Sequence, residues 1–511
     1  MPMQTAGAAA GQPIELSHEV EEALYEVRQK IHPRAVHGWF AGWRWALVWF
    51  TQILFYGGAW LTWNGRQAVL FDLAARKFYI FGLVLWPQDF IFLAVLLIIS
   101  AYALFLFTAV AGRLFCGYAC PQTVYTEIFM WIERKVEGER NARIKLDRSA
   151  LGWPKLSRKA LKHALWIALA LWTGFTFVGY FTPVRQLAYE VAAWALGPWQ
   201  LFWIGFYTFA TYGNAGWMRE QVCKYMCPYA RFQSAMLDRD SLIITYDIAR
   251  GEARGSRPRR ADPRALGLGD CVDCGICVEV CPTGIDIRKG LQYECIGCAA
   301  CIDGCNQVMD KMGYAAGLIR YSTDNALTHQ WSRADTWRRV WRPRTLIYSA
   351  ILLAIVTAFV TALALRVPLK VDVIRDRGAL ARVVEDGVIE NVYRLQIMNT
   401  QEEFRRYRIS VSGIEGISIA SEQIAEVPGA AAIMFPLRVQ VPPARGTGGT
   451  SGTSGTGGTG GTSGTSGTSS TSSSGTSGAP GSNKIAFDIR AINHAAEAVR
   501  EKSVFLIPRS P

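Results

Sequence analysis

The 511-residue chain is long enough for two to four domains, and half of it is hydrophobic, with eighteen tryptophans. That excludes both a purely soluble protein and a bare membrane bundle, and points to a membrane protein with sizeable extramembrane parts. The formal charge of +13 suits nucleic acid or an anionic membrane surface, but no basic helix interleaved with aromatics is present, so no nucleic-acid partner is expected.

The first forty residues are polar and mixed in charge, with no evident cleavable signal peptide, and residues 1–44 read as an N-terminal segment. Five apolar runs then approach the roughly 20 residues that a bilayer crossing needs. They are residues 45–63, 90–112, 164–184, 196–218 and 345–365. The first and fourth are interrupted by glycines and polar residues, while the second and fifth carry no charge. A buried core helix is the competing reading of any one run; five together predict membrane spans.

The second run leads into "FCGYACPQT", with Cys116, Cys120 and Pro121. The fourth leads into "CKYMCPYARF", with Cys223, Cys227 and Pro228. On a helix, an i, i+4 pair shares one face. Two soft sulfurs there suit Cu(I). Proline lacks the N–H and is best tolerated in a first turn, so each span can equally break at its pair and a new helix start. Both geometries bind a metal, and the sequence does not choose. The stretch "PQTVYTEIFMWIERKV" would form an amphipathic interfacial helix. A single such pair is more often packing than chemistry, and a disulfide is disfavoured in a reducing compartment. Two copies at matching membrane depth favour a shared soft-metal site. Met226 reads as an apolar filler, and none of the six scattered histidines as a ligand.

Between the fourth and fifth spans, "CVDCGICVEVCP" supplies Cys271, Cys274, Cys277 and Cys281, and "CIGCAACIDGCN" supplies Cys295, Cys298, Cys301 and Cys305. Each is C-x2-C-x2-C-x3-C, the run of a two-cluster bacterial ferredoxin. In that pattern the fourth cysteine ligates the other cluster. Cluster one therefore takes Cys271, Cys274, Cys277 and Cys305, and cluster two takes Cys295, Cys298, Cys301 and Cys281. A pair of zinc sites is the competing reading. Asn306 stands where the second run should have proline. Such clusters move single electrons, and no nicotinamide or flavin motif names the donor.

Loop charge sets orientation. Residues 113–162 hold eleven Lys and Arg, whereas 185–195 hold only Arg185. The N-terminus, the 113–162 loop and a ferredoxin domain over 219–344 are therefore expected in the cytoplasm, with 366–511 outside. There "VYRLQIMN", "RYRISVSGI" and "KIAFDIRAI" alternate as half-buried strands do, which predicts a small β-sandwich. Residues 446–483 are almost entirely Gly, Ser and Thr and read as a flexible insert between two strands.

"RLFCGYACPQTVYTEIFMWIER", "REQVCKYMCPYARFQ" and the paired run ending "CNQVMDKMGYAAGLIRYST" resemble the cytochrome c oxidase accessory protein family, known as CcoG, FixG or RdxA. The resemblance covers nearly the whole chain; the Gly/Ser/Thr insert departs from it. It implies a multi-pass protein of the bacterial inner membrane, with five transmembrane helices, an inserted two-cluster ferredoxin domain and an outer immunoglobulin-like sandwich in the periplasm. It also implies reduction of Cu(II) to Cu(I) for the copper site of cbb3-type cytochrome c oxidase, with assembly factors of that oxidase as partners. Cys116, Cys120, Cys223 and Cys227 would bind the copper, and two 4Fe–4S clusters would feed it electrons. A quinol-oxidising electron-transfer subunit and a non-catalytic copper-holding scaffold are the alternatives.

Overall fold

The computed structural model describes residues 30–376, 381–442, 480–493 and 497–508. They divide into two compact units. The first holds residues 30–54, 102–175 and 202–349; the second holds 55–101, 176–201 and the described residues from 350 onward. Each of the five boundaries falls inside one of the five apolar runs.

Among the described residues, three helices are long and apolar enough to cross a bilayer: Pro87–Ala111, Trp153–Val178 and Pro343–Ala364. They correspond to the second, third and fifth expected spans. The other two runs depart from a simple span for visible reasons. The first forms the helix Trp39–Gly58 and then turns at Asn64–Gly65, both left-handed, into the ribbon Thr62–Trp63 and Arg66–Gln67. Asn-Gly is the preferred pair for such a hairpin turn. The fourth is helical over Pro198–Thr211 and widens into a π-helical segment over Tyr212–Met218. There Gly216 lies against Trp166, where a Cβ would come within 3.1 Å of the indole.

In the first unit, the 113–162 connection between two expected spans is largely helical. It forms Leu114–Tyr118, Pro121–Glu137 and Arg140–Arg148 before the helix Trp153–Val178 begins. A helix forms where one was expected, Pro121–Glu137, and it buries Phe129 against Trp166, the rings stacking at 5.3 Å. Part of the positive charge counted for topology is buried too. Arg219 and Arg143 meet Glu133 at 2.8 and 3.3 Å, and Lys162 meets Glu137 at 3.0 Å.

The ferredoxin segment is built of cysteine loops, the short helix Ile276–Glu279, the helix Ala300–Met312, and an antiparallel pair, Ile243–Tyr246 with Ile319–Ser322. Asp303 accepts from the backbone N–H groups of Phe40 and Ala41 at 3.3 and 2.8 Å. It thus caps the orphan donors of helix Trp39–Gly58 from a distant part of the sequence.

The second unit contains the expected β-sandwich. One antiparallel sheet orders Ser418–Ile419, Ala432–Val441, Ile389–Asn399 and Leu369–Arg375, with Arg382–Val383 beside Ile389–Asn399. The other orders Ile424–Val427, Arg405–Ser412, Gly481–Ala491 and Ala498–Ile507. Alternate residues of both sheets face one core, among them Tyr393, Leu395 and Ile397 against Tyr407, Ile409 and Phe487. The expected insert falls mostly outside the described residues; residues 481–483 already belong to the strand Gly481–Ala491. A further three-stranded sheet, Val69–Asp72, Lys77–Ile80 and Leu83–Leu85, lies in a stretch read only as a loop.

Candidate metal centres

All twelve cysteines are free thiols, and the structure gathers them into three groups. Cys271, Cys274, Cys277 and Cys305 line one cavity. Cys281, Cys295, Cys298 and Cys301 line a second, which Cys277 also borders. The fourth cysteine of each run therefore reaches the other run's group, as the spacing predicts. Among the described residues, no three Cys, His, Asp or Glu side chains are already drawn to single-ion spacing, either in these two groups or among Cys116, Cys120, Cys223 and Cys227. Donors that ring a cavity suit a cubane better than one tetrahedral zinc.

The backbone is shaped to the same end. Asp273 and Gly275 in the first run, and Gly297 and Ala299 in the second, are all left-handed. Such turns aim successive N–H groups into a concavity that accepts an anionic cluster. The N–H groups of Gly297 and Ala300 already reach the Cys295 and Cys298 thiols. Burial pushes the Cys295 and Cys305 thiols up to about 12 and the Cys277 thiol to about 11. Burial thus favours the neutral thiols, and these residues would ligate a cluster as thiolates, with loss of their protons. The residues present thus fit two 4Fe–4S clusters.

Asn306 explains its own departure from the pattern. It sits inside helix Ala300–Met312, where proline would remove a helical hydrogen bond. Its side chain accepts from the Gly317 N–H at 2.9 Å. In the first run the helix ends at Glu279, so Pro282 after Cys281 meets no such constraint.

The third group is Cys116, Cys120, Cys223 and Cys227, each close enough to bear on the Cys116 thiol. Both pairs sit at a helix break, so neither shares a regular helix face. Cys116 lies in Leu114–Tyr118, while Cys120 is extended and precedes Pro121 at the first turn of the next helix. Cys223 lies in the π-helical turn Val222–Met226, and Cys227 is extended ahead of Pro228. Burial, and then the neighbouring cysteines, push the Cys116 thiol up to about 12 and the Cys223 thiol to about 11.

Three residues that hold this group carried no obvious sequence signal. Gly117 lies against the second ferredoxin run, where a Cβ would come within 2.7 Å of the Cys298 Cα. The Cys116–Cys120 turn therefore rests on the cluster-binding loop backbone to backbone, and Cys116 and Cys223 pack against the apolar cluster of Val280, Ile296, Cys298 and Ala300. Arg113, read only as a topological charge, donates to the carbonyls of Tyr293, Cys295 and Ala230. Gln233, fully buried, accepts from the Cys116 thiol at 3.4 Å. A glycine between two cysteines was the one legible hint.

Comparison with known proteins agrees with these sites. A family model described as a 4Fe–4S dicluster domain matches residues 218–324, and a 4Fe–4S binding domain matches residues 93–138. An IG-like fold at the C-terminal of FixG matches residues 359–453. The chain is 39% identical over 437 residues to the nitrogen fixation protein FixG of Rhizobium meliloti, covering 80% of this chain and 83% of that protein. It is 39% identical over 425 residues to the protein RdxA of Cereibacter sphaeroides, covering 81% and 89%. The ferredoxin-type protein NapH of Haemophilus influenzae is 26% identical over 209 residues, 36% of this chain. With its paired cysteine runs, outer sandwich and relatives matched over four fifths of their length, the chain belongs to the FixG family of membrane iron–sulfur electron-transfer proteins.

Proposed function

We propose that this protein is a cupric reductase that supplies Cu(I) to the copper site of a cbb3-type cytochrome c oxidase during its assembly. The observation that carries this reading is that Cys116 lies near Cys120, Cys223 and Cys227, and that Cys116 and Cys223 pack against the apolar cluster that holds Cys298. Clusters bound in the two cysteine rings supply electrons one at a time, which matches the one-electron step from Cu(II) to Cu(I). Thiolates favour the softer Cu(I), so the four sulfurs draw the reaction toward reduction as well as holding its product. Gly117 keeps the copper thiols in contact with the ferredoxin loop. Arg113 brings a positive charge to these sulfurs, offsetting their charge once they lose their protons.

The same reading places five spans in the bacterial inner membrane, with the N-terminus and the ferredoxin domain cytoplasmic and the sandwich periplasmic. Loop charge supports that orientation. The five unit boundaries, one in each apolar run, support the number of passes. Replacing Cys116, Cys120, Cys223 and Cys227 together by serine tests the site. Copper content should fall to background and Cu(II) reduction should stop, while iron content stays unchanged. Unaltered copper binding and reduction in that variant would place the copper elsewhere.

A further inference from the structure

A cavity of about 680 Å³ opens in the first unit between the start of helix Trp39–Gly58 and helix Pro121–Glu137. That volume is in the range of small-molecule sites. Its floor includes Pro282 and Ala300, the neighbours of Cys281 and Cys301. Trp45 and Trp131 line it as well, their rings edge to face at 6.4 Å. The copper reading leaves this cavity unused.

Its chemistry is cationic. Of the basic lining residues, Arg34 and Arg143 are committed to Glu279 and Glu133. Arg44, Arg134 and Lys135 have no ion-pair partner among the described residues, against two lining carboxylates, Glu127 and Glu139. Arg44 is only 8% exposed, its Nε has no hydrogen-bond partner among the described residues, and it faces Cys298. Cys298, Glu127 and Asp303 all favour its charge, so Arg134 and Lys135 are the lining cations left uncommitted.

We propose that this cavity binds a phosphorylated aromatic electron carrier of the flavin mononucleotide class and is where electrons enter the protein. The inference rests on the cluster reading above and names the donor that it lacks. A carrier for one-electron acceptors must release electrons singly, which flavins do and nicotinamides do not. No dinucleotide fingerprint is present, so a mononucleotide fits better than a dinucleotide. The tryptophans offer a stacking wall, and Arg134 and Lys135, with the unpartnered Nε of Arg44, suit a phosphate, which a neutral quinol lacks. In the step itself, the dihydroflavin gives up two electrons, one at a time, to the clusters, releases two protons to water and leaves as oxidised flavin.

The test is binding of flavin mononucleotide to the purified full-length protein, read by flavin fluorescence, with riboflavin and a soluble quinol as comparators. Flavin mononucleotide should bind saturably and at least about tenfold more tightly than riboflavin, and Arg44→Gln should remove most of that preference. If Arg44→Gln does not fold, an Arg134→Gln, Lys135→Gln double variant should weaken flavin mononucleotide and leave riboflavin unaffected. Equal affinity for the two flavins, saturable binding of the quinol alone, or wild-type affinity in the variants would overturn the proposal. Anaerobic mixing with dihydroflavin should bleach the cluster absorbance, as dithionite does. Bleaching by dithionite alone counts against the cavity, whereas no bleaching by either counts against the clusters.

Discussion

Glu133 is fully buried between Arg219 and Arg143, and its charge decides whether two guanidiniums are paired. Burial pushes its carboxyl up, but the arginines outweigh that and hold it below the usual carboxylate range. Glu133→Gln should therefore destabilise the first unit by about 3–5 kcal/mol, because it strands buried charge rather than only losing an attraction. Denaturant unfolding of the two proteins in the same detergent measures the difference. Asp147 is subject to the same balance nearer the surface. Burial raises its carboxyl, and Lys159 and Lys30, at 2.6 and 2.7 Å, outweigh it and hold it well below the usual range. A depressed carboxyl contributes its full stability above the ordinary value of about 3.9 and loses it as pH falls below that. Asp147→Asn should thus lower the melting temperature at pH 7, and the gap to wild type should narrow as pH falls below about 4.

At the scale of elements, the short helix Leu114–Tyr118 and the turn that follows it set the distance between the thiols of Cys116 and Cys120 and the ferredoxin loop. Gly117 permits the contact, and any side chain there must move the backbone at Cys298. Gly117→Val should cost about 1–3 kcal/mol through overpacking. It should also slow Cu(II) reduction while iron and copper contents stay near wild type. Equal reduction rates in the two proteins would show that the contact does not matter for electron flow. How far these elements were legible depended on how local their causes are. The eight ferredoxin cysteines were readable with their cross-pairing, because spacing alone encodes it. The break at each membrane-edge pair was left open, because Pro121 and Pro228 are compatible with either geometry. Arg113, Gln233 and the cap from Asp303 were invisible, since each acts on residues more than a hundred positions away.

Across the whole molecule, period-two alternation correctly marked the sandwich strands, because each sheet buries one face. Charge counting says nothing of the helices within 113–162, where Arg143 and Lys162 are buried in ion pairs with Glu133 and Glu137. Hydropathy marked five runs, of which the first and fourth are shortened or widened as helices by their asparagine, glycine and polar positions. The proposed function joins two iron–sulfur centres and the thiols of Cys116, Cys120, Cys223 and Cys227 into one path for electrons. The most direct measurement is electron paramagnetic resonance of the protein reduced with dithionite, freed of excess reductant and titrated anaerobically with Cu(II). The account predicts that the Cu(II) signal vanishes for about the first two equivalents, one electron per cluster, as the reduced-cluster signals disappear in step. A Cu(II) signal that persists from the first addition while the clusters stay reduced would contradict it.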